Sequence, residues 1–349
     1  GQLEMLFDVM IANSGGNLSR YYDLIQIISP QDRHVGGAVL QLSRYEDILI
    51  DSQFGDGSAG TRYEYELIYY PTSANAAGYK RPEPDGVVGT PVRDLGDDKE
   101  RYRWNFLIKD DREEDPFDPI IAYCKHFSKR GAEFEEGLED VVDVDNWLRG
   151  MAYAVASGAG DNAGAGSQHN GMYYARPDGR VMFLPHDMDF AFDASRTITA
   201  NPEAAKIVAI PKYARIYYGH LQDIVETTYN RTYMQQWTDH FAELLPRQRW
   251  SSHLTYINSR SNNLLSQISS RARAIDFATT SDPGQSTDST SVTLRGTGWI
   301  NIRKIRLAGS DGELNIDWTD ETDWQVQLPV TPGNNSYALE AVDFSGNII

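Results

Sequence analysis

The stretch DVDNWLRGMAYAVASGAGDNAGAGSQHNGMYYARPDGRVMFLPHDMDF, residues 143–190, is the most informative part of the chain because it carries four structural signals in succession. Its first part, residues 144–156, places apolar side chains at helical spacing. Asp143 or Asp145 is suited to cap this helix, and Gly158 is suited to end it. The sequence therefore predicts a helix that leads directly into a glycine-rich polar loop.

The loop at 158–170 combines small residues with polar side chains, which leaves room for a ligand. Residues 172–176 and 180–184 then flank a Pro-Asp-Gly turn, a pattern that predicts a β-hairpin. The second strand runs into Asp187 and Asp189, whose side chains share one side if the strand continues. A carboxylate pair of this kind suits a divalent cation.

The order of these signals is also the order found in protein kinases. There, a helix precedes a loop with a proton-accepting Asp and a downstream Asn, and a hairpin follows that ends in a metal-binding Asp before Phe. Asn170 follows Asp161 at a longer interval than in the HRDxxxxN pattern of protein kinases. Either the loop bulges, or Asn162 takes the place of that Asn.

Taken singly, the same residues have plainer interpretations. Asp161 can cap a loop, Asn170 can hold a turn, and Asp187 can pair with an Arg. It is their joint occurrence, on a loop and a hairpin in this order, that favours a nucleotide and metal site.

Composition narrows the class of protein. The 349 residues are 40% hydrophobic, which is enough for one large domain with a core and a smaller second one. The net charge of −18 argues against a basic nucleic-acid-binding surface. Cys124 is the single cysteine, which excludes an intrachain disulfide and a cysteine-based metal cluster. No apolar run approaches the ~18 residues of a membrane span.

The residues before this region predict a helix and several strands. Residue 1 is not Met and a helical pattern starts at once over 3–12, so we expect the natural amino terminus to lie further upstream. Strands are predicted over 23–28, 37–42 and 62–70. A polar loop rich in Pro, Gly and Asp is predicted over 72–101.

A further ordered segment at 103–109 precedes an acidic run at 110–115. We interpret the run as the solvated start of a helix that covers 118–127. A second cation site is the alternative interpretation of these carboxylates.

The second half of the chain divides at a polar linker, residues 279–290. Before it, helical patterns predict a lobe packed behind the acidic loop, with helices over 221–229, 232–244 and 250–278. After it, short alternating segments separated by Gly and Asn turns predict a small all-β, immunoglobulin-like sandwich over 291–349.

The span 103–192 resembles the CotH kinase family, atypical protein kinases first associated with bacterial spore coats. The resemblance rests on the helix ending at Phe127, on the Trp-Leu helix that leads into residues 160–162, and on His169-Asn170 with the hairpin that ends in residues 185–190. It implies an α+β fold, with a CotH-type kinase-like domain over 1–278.

The resemblance also implies roles for individual residues. Asp161 would be the general base for the acceptor hydroxyl, and Asn170, Asp187 and Asp189 would hold Mg²⁺ or Mn²⁺ against the phosphates of ATP. The remaining nucleotide contacts would come from Asn162, His169 and Lys109. The resemblance implies that the nucleotide-binding Lys of the family lies on a strand upstream of residue 1. Within this chain, Lys109 is only a weak candidate for that role.

The function implied is metal-dependent transfer of the γ-phosphate of ATP to Ser or Thr of a protein. The alternative is a catalytically inactive kinase-like scaffold at a cell or spore surface, and a metal-dependent hydrolase is a third reading. The family implies an extracellular or cell-surface location with surface or coat proteins as partners.

Overall fold

The computed structural model describes residues 2–31, 38–66, 68–70, 76–77, 86–88, 91–103 and 105–349, with the backbone alone described for 38–39, 68–70 and 86–88. Its helices are α1 Gln2–Ser14, α2 Asp47–Asp51, α3 Asp118–Ser128, α4 Ala132–Glu135, α5 Leu138–Val141, α6 Val144–Ser157, α7 Pro202–Val208, α8 Pro211–Thr227, α9 Arg231–Leu244 and α10 Trp250–Ser269. Its strands are β1 Tyr22–Gln26, β2 Ala38–Leu42, β3 Thr61–Tyr65, β4 Ile68–Tyr70, β5 Gly86–Val88, β6 Phe106–Ile108, β7 Gly171–Ala175, β8 Val181–Pro185, β9 Ala278–Thr279, β10 Ser291–Thr297, β11 Lys304–Leu307, β12 Asp317–Trp318, β13 Asp323–Pro329 and β14 Leu339–Val342.

The fold is a mixed α+β arrangement around one antiparallel sheet of order β6-β3-β7-β8. Side chains alternate across this sheet, so β7 and β8 each contribute to two different cores. Tyr63, Tyr173 and Phe183 lie in the large core shared with the helices. Met172 and Leu184, on the opposite face, pack in a smaller core.

The predicted helix and hairpin at the centre of the chain are confirmed. Asp143 caps α6 by accepting a hydrogen bond from the Asn146 backbone N–H, and Gly158 ends it with a left-handed φ of 69°. The hairpin forms in the expected antiparallel register, with Gly171 opposite Pro185. Because these elements depend on neighbouring residues, local sequence signals were sufficient to find them.

Helix α1, predicted over 3–12, is confirmed, and it has no exposed polar face over most of its length. Residues 3–11 are buried all around the helix, including Glu4 and Asp8. Both carboxylates face the buried Arg20, whose Nη2 lies 3.0 Å from Glu4 Oε1 and 3.1 Å from Asp8 Oδ1. This pairing is what allows two acidic residues to lie inside the protein.

The helix predicted from 118 is confirmed as α3, and residues 111–114 of the acidic run before it are exposed as expected. Asp110 and Asp115, at the ends of the run, are partly buried. Asp110 pairs with the buried Arg62 of β3. Asp115 accepts hydrogen bonds from Arg103, with an Nη1 to Oδ1 distance of 2.6 Å. Long-range ion pairs therefore use carboxylates that the sequence alone assigned to solvent.

Three predicted elements have clearly different bounds, and one of them is the helix predicted over 221–229, which begins at Pro211 and ends at Thr227 as α8. The strand predicted over 62–70 is split, because β3 ends at Tyr65 and β4 pairs with β5 in a separate sheet. Helix α10 ends at Ser269 rather than near 278, where β9 begins. The start of the segment predicted over 37–42 and most of the loop predicted over 72–101 lie outside the described residues.

The carboxyl-terminal strands form antiparallel sheets of order β12-β13-β10-β9 and β11-β14. A separate core lies between them, with Ile305, Trp324 and Val326 buried in it. The pairing of β9 with β10 brings the first residue of the predicted linker, Thr279, into the larger sheet. The immunoglobulin-like topology and the boundaries at 279 and 291 stay predictions.

Candidate active site

One end of the central sheet gathers the residues that the sequence singled out. The register places Tyr65 opposite Gly171, and Gly171 opposite Pro185. Asn170 therefore precedes β7 at the same end of the sheet at which Asp187 follows β8. The hairpin thus brings two of the three predicted metal ligands, Asn170 and Asp187, to one end of the sheet.

The loop that follows α6 lies alongside the segment that follows β8. The Gly160 N–H donates to the Phe190 carbonyl at 3.1 Å, and the Asp193 N–H donates to the Gly158 carbonyl at 3.0 Å. A Cβ on Gly160 would lie 2.8 Å from the Ala191 carbonyl oxygen, so this approach requires glycine. Asp161, the predicted base, follows Gly160 directly, and Phe190 follows Asp189 directly. The hydrogen bond between Gly160 and Phe190 therefore holds the backbone of Asp161 near that of Asp189.

Asn170 holds the loop against the sheet. Its Nδ2 donates to the Asp161 carbonyl at 2.6 Å, and its backbone has a left-handed φ of 52°. Asn tolerates this conformation better than most residues. The side-chain amide therefore already positions the backbone of Asp161.

The Asp161 carboxylate contacts His169, with 2.9 Å between Oδ1 and Nε2. Its side chain is 47% exposed, so a hydroxyl from solvent or from a second protein can reach it. The Nδ1 of His169 is buried and has no hydrogen-bond partner among the described residues. His169 thus contacts the carboxylate of the predicted base, and its predicted contact with the nucleotide stays a prediction.

Asp187 and Asp189 lie close to each other, but not by continuation of a strand. Strand β8 ends at Pro185, and Asp187 turns the chain with a left-handed φ of 48°. Burial, together with the negative charge of Asp189, raises the pKa of Asp187. A bound cation would relieve this mutual repulsion.

Asn162 has a local structural contact. Its Oδ1 accepts from the Ala165 backbone N–H at 3.2 Å and so caps the short 3₁₀ turn at 163–165. The side chain is fully buried, and its Nδ2 has no partner among the described groups. A nucleotide contact by Asn162 stays a prediction.

Lys109 belongs to a charged array on the face of the sheet that carries the smaller core. Its Nζ lies 2.5 Å from Glu64 Oε2, and His186 Nε2 lies 3.4 Å from the other oxygen of the same carboxylate. The hydrogen bond from His186, assisted by that from Lys109, lowers the pKa of Glu64 to about 2 although burial opposes the shift. Because His186 adjoins Asp187, the array ends beside the predicted metal ligands.

Sequence reasoning missed Glu64 and the contact of His186. A signal was present, because charged residues at 62 and 64 alternate with buried Tyr63 and Tyr65 along β3. That alternation places both charges on one face. It does not reveal which lysine or histidine lies opposite, since the partners are distant in sequence.

Asp187 and Asp189 fit Mg²⁺ or Mn²⁺ only if phosphate oxygens supply further ligands. Across the ranges that the structure describes, no group of three or more His, Cys, Asp or Glu side chains is arranged to hold a metal ion. Mg²⁺ is usually held by one or two carboxylates together with nucleotide phosphates, and the Asp187–Asp189 pair meets that lower requirement.

A comparison with known protein families matches residues 83–288 to the family described as CotH kinase protein. The fold and this match together define a kinase-like protein. Since the match spans more than half of the chain, the protein belongs to the CotH kinase family.

A search of curated proteins gave no match. In the described ranges, no helix has the length and apolar character needed to cross a membrane.

Proposed function

We propose that this protein transfers the γ-phosphate of ATP to Ser or Thr side chains of a protein, with Mg²⁺ or Mn²⁺. The observation that carries the proposal is the hydrogen bond between Gly160 and Phe190, which holds the Asp161 loop beside the segment of Asp187 and Asp189. A proton acceptor next to paired metal ligands is the arrangement that phosphoryl transfer needs.

Each residue has a distinct part in the proposed reaction. Asp161 accepts the proton of the acceptor hydroxyl, and the contact with His169 fixes the direction of its carboxylate. Asp187, Asp189 and the amide oxygen of Asn170 hold the cation, which neutralises charge on the phosphates. Lys109, held by Glu64, supplies positive charge near the nucleotide.

The second candidate is a kinase-like scaffold that does not catalyse transfer. It is favoured by the contact between Asp161 and His169, which occupies the proposed base, and by the lack of a three-residue metal group in the described part of the chain. In either role, we propose an extracellular or cell-surface location with surface or coat proteins as partners.

Thermal denaturation with ATP and Mn²⁺, separately and together, tests the nucleotide site. We expect the midpoint of denaturation to rise only when both ATP and Mn²⁺ are present. A bound ligand at about 100 times its Kd adds about 2.7 kcal/mol of stability. Asp187→Asn should abolish the rise. Asp178→Asn, at the far end of the same hairpin, is the matched control and should retain it.

If ATP with Mn²⁺ leaves the midpoint unchanged in the wild type, the nucleotide site is wrong. If binding is present but no phosphate reaches any Ser- or Thr-bearing protein, the scaffold gains support.

A further inference from the structure

The side chain of Phe190 is an aromatic ring that lies outside the core at the candidate active site. It is 64% exposed, and it follows Asp189 directly in the chain. The apolar side chains two residues before and after it are packed inside. Met188 is fully buried, and the ring centroid of Phe192 lies 5.9 Å from that of Phe7. Phe190 is therefore open to solvent although its apolar neighbours on both sides contribute to the core.

Hydrogen bonds fix the backbone at this ring. The Phe190 carbonyl accepts from the Gly160 N–H at 3.1 Å, and the Ala191 carbonyl accepts from Arg196 Nη2 at 3.2 Å. Arg196 also donates from Nε to the Gly158 carbonyl at 3.3 Å. The backbone that carries the ring is therefore held against the loop that carries the proposed base.

The direction of the chain at the ring depends on an unfavourable backbone conformation. Ala191 has a left-handed φ of 55°, which is uncommon for a residue with a Cβ. Asn170 and Asp187, at the same site, have left-handed φ angles of 52° and 48°. Strained residues of this kind are concentrated at functional sites, where the surrounding contacts impose the conformation. The contacts around Ala191 thus maintain strain at the residue that follows the exposed ring.

The ring lies on the side of the site at which the acceptor protein would bind. In phosphoryl transfer, the attacking and leaving oxygens are roughly in line through the transferred phosphorus. The acceptor hydroxyl is therefore on the side of Asp161, and ADP leaves on the opposite side. Because Gly160, which precedes Asp161, is bonded to Phe190, we expect the ring to lie beside the acceptor and not beside the nucleotide base.

We propose that Phe190 contacts a large apolar side chain next to the acceptor Ser or Thr. The substrates are then protein segments in which the acceptor residue has an apolar neighbour. This inference rests on the function proposed above, because it names the acceptor class for the same site. Aromatic residues, Phe among them, are enriched in protein interfaces. A ring on a backbone that is already fixed loses little further freedom when a partner binds.

Peptide binding in the presence of Mn²⁺ and a non-hydrolysable ATP analogue tests this subsite. Two fluorescein-labelled pools of heptapeptides have a central Ser, which is flanked on both sides by Leu, Ile or Phe in one pool and by Gln or Asn in the other. We expect the wild type to bind the apolar pool about tenfold more tightly, equal to about 1.4 kcal/mol. Phe190→Ala should remove this preference, and Phe190→Leu should retain most of it.

Leu244→Ala is the matched control. It removes a 51% exposed apolar side chain from α9, a helix that contributes no residue to the candidate active site. This variant should bind both pools as the wild type does. The affinity for ATP with Mn²⁺ is measured for every variant and should stay within about twofold of the wild type. A fall of about tenfold in Phe190→Ala would place the ring against the nucleotide and overturn the proposal.

Phosphate incorporation from γ-labelled ATP separates this inference from the proposed function. If the apolar pool binds preferentially through Phe190 but receives no phosphate, the subsite stands and the proposed transfer fails. If both pools are phosphorylated with equal kcat/KM, the proposed transfer stands and the subsite is wrong. Equal affinity of the wild type for the two pools, or no saturable binding of either pool, also overturns the subsite.

Discussion

At the scale of single residues, Glu64 connects the predicted nucleotide contact Lys109 to the histidine next to a predicted metal ligand. It contacts both Lys109 and His186, and His186 adjoins Asp187. We predict that Glu64→Gln weakens Mn²⁺-dependent ATP binding by about tenfold, because the charge that fixes Lys109 is lost. Glu113→Gln, at an exposed position, is the control. Isothermal titration that gives equal affinities for both variants would remove Lys109 and Glu64 from the nucleotide site.

A second residue, Glu203, gives the protein a pH-dependent stability. Burial raises the pKa of its carboxyl to about 7. Because this folded-state pKa lies above that of the unfolded chain, the folded protein binds the additional proton and stability falls as pH rises from about 4.5 to 7.

We predict that Glu203→Gln removes this fall. The variant should be more stable than the wild type by roughly 2–3 kcal/mol at pH 8, with a smaller difference at pH 4.5. Urea unfolding at both pH values measures the difference. A difference that does not change with pH would show that Glu203 is ionised throughout.

At the scale of elements, Arg260 of α10 anchors the end of α6. This buried cation donates to the Val155 carbonyl at 2.7 Å and to the Arg196 carbonyl at 2.6 Å. A cation at this position also interacts favourably with the negative end of the helix dipole. It therefore joins the end of the helix to the segment after β8.

We predict that Arg260→Met destabilises the protein by about 2–4 kcal/mol, since several buried carbonyls lose their donor. ATP affinity should fall as well, because the Asp161 loop follows α6 directly. Arg271→Met, on an exposed side chain near the end of the same helix, is the control. A change below about 0.5 kcal/mol in urea unfolding would contradict this role.

The same scale shows what the sequence could predict. Helix α6 and the β7–β8 hairpin follow from a cap, a terminating glycine and a turn, all within a few residues of the elements themselves. The roles of Asp110 and Asp115 did not follow, because their partners Arg62 and Arg103 lie on other elements. The contact between Asp161 and His169 was missed although both residues were singled out, because a loop of glycines leaves the direction of side chains open.

At the scale of the whole molecule, the carboxyl-terminal strands and the candidate active site lie at opposite ends of α6. The strands contact Asp145 in its first turn, whereas Asp161 follows its last turn. The helix has 14 residues and is therefore about 21 Å long. We therefore expect a change in one region to affect the other through the stability of the fold.

We predict that Arg215→Met lowers stability by about 1–3 kcal/mol, because its carbonyl partners on the strands become unsatisfied. ATP affinity should remain within about twofold of the wild type. Calorimetry and nucleotide titration of the same variant measure both quantities. A large loss of ATP affinity in a variant that is still folded would contradict this separation.

Phosphate transfer itself is measured most directly with γ-labelled ATP, Mn²⁺ and a pool of Ser- and Thr-bearing proteins. We expect the wild type and Asp178→Asn to incorporate label. Asp161→Asn should keep Mn²⁺-dependent ATP binding but lose about 100-fold or more in rate, as expected for removal of a general base. Asp187→Asn should lose the binding. If both variants incorporate label at the wild-type rate, neither Asp161 nor Asp187 has the role proposed here.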